Sequence, residues 1–85
     1  MYLAVITGLS YNIYAVGKTK NECCDNLSTA FQGYVAQYGS SVEEWVARCG
    51  EDFAEYDNNI LKFLYEYYGY HFHDITKGYA FGWES

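Results

Sequence analysis

"YNIYAVGKTKNECCDNLSTAF", residues 11 to 31, changes its hydrophobic rhythm halfway along. From Tyr11 to Val16 the residues are aromatic or β-branched at close spacing, which suits a strand. After Gly17 the apolar residues recur every three or four positions, the period of a helix with one buried side. Thr19 stands three residues before Glu22 at the junction, the pattern of a capping box that opens a helix. The stretch therefore predicts a strand that runs into a helix. Stepping about 100° per residue places Cys23, Cys24, Leu27, Ala30, Phe31, Tyr34, Val35 and Tyr38 on one arc. Asp25, Ser28, Gln32 and Gln37 lie outside that arc, and Gly39 offers a stop.

Working outward, Tyr2–Thr7 is a second β-rich run, and Gly8, Leu9 and Ser10 separate it from Tyr11–Val16, which predicts a hairpin. Downstream, Ser41 with Glu44 forms another capping box. The apolar set Val42, Trp45, Val46, Cys49, Phe53 and Tyr56 keeps helical phase straight through Gly50, predicting one helix kinked at that glycine. Asp57, Asn58 and Asn59 predict a break and a new cap. The segment Ile60–Tyr68 is apolar around more than half its circumference and ends at Gly69, as a largely buried helix would. The last stretch, "YHFHDITKGYAFGWES" from residue 70, predicts a second hairpin. It would turn at Thr76, Lys77 and Gly78, with Tyr79, Phe81 and Trp83 alternating with small or polar residues.

The element order is thus ββαααββ, an α+β class with an antiparallel sheet of two hairpins and the helices packed on one face. Eighty-five residues, half of them apolar and 21% aromatic, make one compact domain spanning residues 1 to 85. Proline is absent and glycine is spread evenly, so no linker or repeat divides the chain. The three cysteines include the neighbours Cys23 and Cys24 and form no disulfide framework. No basic region precedes an apolar run at the start, and no apolar stretch nears the roughly 18 residues that cross a bilayer. The expectation is a cytoplasmic protein with no membrane partner, in the host cytoplasm if phage-encoded.

The formal net charge of −6, from eleven acids against five bases, argues against direct nucleic-acid binding and favours a basic partner. Catalytic signatures are missing. No glycine-rich phosphate loop, G-x-S-x-G or H-E-x-x-H is present, and no histidine and acid stand beside a candidate nucleophile. His71 and His73, two apart, face the same way on a strand and begin a metal site. Completing it would take Cys23, Cys24, Cys49 or an acid from elsewhere, and the cysteines fall on helical core arcs. The reading is therefore of a non-enzymatic protein without metal or cofactor.

The acids carry more information. Glu43, Glu44, Glu51, Asp52, Glu55 and Asp57 crowd residues 43 to 57 against the single Arg48. On the expected helix, Glu44, Glu51 and Glu55 fall within about 40° of one another, opposite the apolar arc. Such an outward stripe fits a lysine- and arginine-rich groove and speeds association by electrostatic steering. A solvated helix face with an ordinary Glu44–Arg48 pair explains the same pattern without a partner. Phe63 and Tyr65, at the margins of the third helix's apolar arc, divide between core packing and interface anchors.

Residues 4 to 35, "AVITGLSYNIYAVGKTKNECCDNLSTAFQGYV", resemble the opening of the HicB-like antitoxin superfamily. There a strand pair runs into a T-x-x-E-A-x-x-N-L-x-x-A helix. Thr19, Glu22, Asn26, Leu27 and Ala30 stand at the matching places, and Cys23 replaces the alanine. The resemblance implies a ββ(β)αβ module that neutralises a small basic RNase toxin. In composition the chain is also similar to small acidic phage-encoded inhibitors of anti-CRISPR or anti-restriction type. That likeness implies a binding protein that occludes the basic, nucleic-acid-handling surface of a target. A self-associating module, a homodimer, is the third expectation.

Overall fold

The computed structural model describes residues 1 to 80. Strands β1 (Tyr2–Ile6), β2 (Ile13–Gly17) and β3 (Phe72–Asp74) form one antiparallel sheet in the order β2-β1-β3. The first hairpin aligns Leu3 with Val16, Ala4 with Ala15 and Val5 with Tyr14. Its connection runs from residue 7 to residue 12, longer than the three residues expected. Tyr34 draws this loop inward, because its hydroxyl accepts from the Ser10 N–H at 3.1 Å and its ring packs edge-on against Tyr11 at 5.0 Å. β3 takes the other edge of β1, pairing Leu3 with His73 and Ala4 with Phe72.

Helix α1 (Lys20–Ala36) begins where expected, with the Thr19 side chain accepting from the Glu22 N–H at 3.1 Å. Cys23, Leu27, Phe31, Tyr34 and Val35 are its buried residues. They pack against Ala4, Ile6, Ile13 and Ala15 on one face of the sheet. Small residues at Ala4 and Ala15 let the helix come close. Gly17 allows the tightest approach, since a Cβ there would lie 2.3 Å from the Cys23 nitrogen. Asn26 donates to the Val16 carbonyl at 2.7 Å, tying helix to strand.

The second helix is shorter than the sequence predicts. α2 covers only Val42–Arg48, and its reciprocal Ser41–Glu44 capping box is complete. Gly50 stops the helix at φ +82 where a kink was expected: Gly50 N–H donates to Ala47 and Glu51 N–H to Val46, closing a Schellman motif. A 3-10 turn follows at Phe53–Tyr56, with Asp52 as its cap and Asp57 and Asn58 in left-handed conformation at its end. The Ile60–Tyr68 segment starts as α3 (Ile60–Phe63), capped by Asn59, and widens into a π turn at Leu64–Tyr68. It is less buried than expected, because Tyr65, Glu66 and Tyr67 are exposed.

Gly78 N–H closes a turn onto the Ile75 carbonyl at 2.8 Å, but no second hairpin forms among the described residues, where β3 pairs with β1 alone. Tyr79 and Ala80 form no strand, and the expected positions of Phe81 and Trp83 lie outside the described residues. The described architecture is α+β, with three strands and three helices on one sheet face. No helix among the described residues is long and apolar enough to cross a membrane.

Candidate protein-binding site

Phe31, Phe63 and Tyr68 pack around one point, with Phe63 touching the rings of Tyr56 at 5.2 Å, Tyr67 at 5.2 Å and Tyr68 at 5.9 Å. Tyr34, Tyr38 and Trp45 extend the cluster, and the Trp45 indole donates to the Tyr68 hydroxyl at 3.1 Å. Phe63 is fully buried at its centre, so it cannot serve as the interface anchor that the sequence allowed. Phe63 is the last residue of α3, and Tyr65 and Tyr67, in the π turn that follows, are exposed.

The single acidic stripe also breaks where α2 stops. Glu44 is held at the start of α2, where its carboxylate accepts from the Ser41 N–H at 3.1 Å. That bond holds its carboxyl below the usual range. Asp52 caps the 3-10 turn through the Ala54 N–H, and Asp57 pairs with Lys62 at 2.8 Å. Arg48 turns to the Ser40 hydroxyl and makes no ion pair with Glu44. Glu51 lies half-buried and accepts from the Tyr56 hydroxyl at 2.9 Å. Glu43 and Glu55 are exposed.

What the fold assembles is a cluster around Tyr56. The Glu51 hydrogen bond, reinforced by the charges of Glu51, Glu66 and Glu55, pushes the Tyr56 hydroxyl up to about 12. Glu66 lies outside the crowded run of residues 43 to 57, and nothing in the local pattern marks it; from the π turn its charge acts on Tyr56 and Lys62. Lys62, tied to Asp57 and within the field of Glu66, has its pKa raised by both and is the base that accompanies this group. Tyr67, 44% exposed, borders the cluster, and its pKa is raised by a hydrogen bond to Cys49 and by the charges of Cys49 and Glu51. Tyr65 is 60% exposed and packs edge-on against Tyr70, and it has no part in the shift at Tyr56. The aromatic neighbour of the acids is therefore Tyr67.

His71 and His73 lie beside β1, and among the described residues no group of three or more His, Cys, Asp or Glu gathers as a metal site would need. Cys23, Cys24 and Cys49 are free thiols, and burial raises the pKa of Cys23 and Cys24. Comparison with family models, curated proteins and solved structures finds no match for this chain.

Proposed function

We propose that this chain is a small acidic inhibitor that binds a target protein and occludes its basic, nucleic-acid-handling surface, in the manner of a phage or mobile-element product of anti-CRISPR type. One observation carries the reading: Tyr56 donates to Glu51 at 2.9 Å and lies in the field of Glu66 and Glu55, and the exposed Tyr67 lies in the field of Glu51. Grouped carboxylates carry the same charge as the phosphates that such a surface is built to receive, and steering by a net charge of −6 speeds the encounter. A tyrosine beside them supplies rigid contact area at low entropy cost. Glu43, Glu44, Asp52 and Asp57 extend the negative field, and Tyr65 offers a second contact outside it.

The experiment is affinity capture from the natural host with the wild-type chain and the Glu55→Lys, Glu66→Lys double variant. The proposal expects a basic nucleic-acid-binding protein on the wild-type chain alone, released by nucleic acid in competition. Equal recovery on both chains overturns the acidic mechanism.

A further inference from the structure

We propose that the exposed face of the Tyr67 ring, with the Glu51 carboxylate at its border, is a seat for an arginine guanidinium of the partner protein. Such a seat names the partner's side chain at the surface proposed above, and it rests on that reading. Phe63, fully buried, stacks against Tyr67 at 5.2 Å with the two rings 15° from parallel. Tyr68 stands almost perpendicular to Tyr67 at 4.9 Å and also touches Phe63, so it too lies toward the interior. The 44% of Tyr67 that is exposed therefore falls mainly on its other face and rim. Stacking holds that face in place before a partner arrives, which lowers the ordering cost of contact.

The carboxylate reaches the same place through the same phenylalanine. Tyr56 packs edge-on against Phe63 at 5.2 Å, and its hydroxyl donates to Glu51 Oε1 at 2.9 Å. Glu51 is half-buried, and its charge acts on Tyr67. The bond from Tyr56 uses one carboxylate oxygen and leaves Oε2 to accept from a partner. Geometry then selects arginine over lysine. A guanidinium is planar and weakly hydrated, and it stacks on an aromatic face while its edge donates to a carboxylate. An ammonium is compact and strongly hydrated, so it gains from the carboxylate and little from the ring. Charge alone gives no such preference; the ring supplies it.

Two blocked heptapeptides test this, one with arginine and one with lysine at alternate positions, titrated at low salt and followed by nuclear magnetic resonance shifts. The arginine peptide should bind the wild type about threefold more tightly than the lysine peptide. Tyr67→Leu should bind both peptides as the wild type binds the lysine peptide, while Glu55→Lys with Glu66→Lys should weaken both alike. Should Tyr67→Leu unfold, nuclear Overhauser contacts between the Tyr67 ring and the arginine side chains of the wild-type complex give the same answer, and their absence counts against the seat. Equal affinities on the wild type, or a preference that survives Tyr67→Leu, overturn the seat and leave the acidic surface standing. A wild type that binds neither peptide overturns both.

Discussion

The Tyr56 hydroxyl donates to the Glu51 carboxylate at 2.9 Å, joining the last residue of the 3-10 turn to the residue that follows Gly50. This bond closes the gap that Gly50 opens, and it turns Glu51 inward while Glu55 stays exposed.

It also gives the fold a pH signature. A tyrosine whose pKa is higher in the folded state favours folding while neutral, so its contribution is complete below the unfolded value near 10 and is lost as pH rises through the folded value. Tyr56 and Tyr68 are both pushed up to about 12, the first by Glu51 and the second by burial. The melting temperature should hold up to about pH 10 and fall between about 10 and 12. Tyr56→Phe should flatten part of that fall, and absorbance near 295 nm (about the phenolate band) should lose one late-titrating tyrosine. An unchanged titration would show that the Glu51 contact does not form.

Phe63 and Tyr65 sit two residues apart and should respond in opposite ways. Truncating fully buried Phe63 to alanine should cost about 3 to 5 kcal/mol, a large share of what an 85-residue domain has. Tyr65→Ala should leave stability within about 1 kcal/mol of wild type, because only its edge-on contact with Tyr70 is lost. Urea denaturation of both variants decides between this arrangement and one with Phe63 at the surface.

Two glycines separate steric need from chance. Gly17→Ala forces its methyl onto the Cys23 and Glu22 backbone and should destabilise by about 1 to 3 kcal/mol. Gly33, inside α1, has nothing within 4 Å of the position a Cβ would take, so Gly33→Ala should stabilise by up to about 1 kcal/mol. Thermal melts measure both.

These contrasts mark what the sequence could and could not reveal. α1 was legible because the Thr19 cap, the apolar arc and the Gly39 stop agree along one continuous segment of chain. α2 was overextended because Val42 through Tyr56 keep helical phase, while the Gly50 stop and the Asp52 cap compete locally and win. Glu66 sits on a π turn that no periodicity announces. The acidic character was plain, but the fold rearranges it from a stripe along one helix into a group around Tyr56.

The most direct test of the central claim is the association rate between this chain and the captured target, measured against salt for the wild type and the Glu55→Lys, Glu66→Lys variant. The account predicts a wild-type rate that falls steeply with ionic strength, a variant rate at least about tenfold lower at low salt, and equal melting temperatures. A rate indifferent to salt, or identical for the two chains, would contradict it.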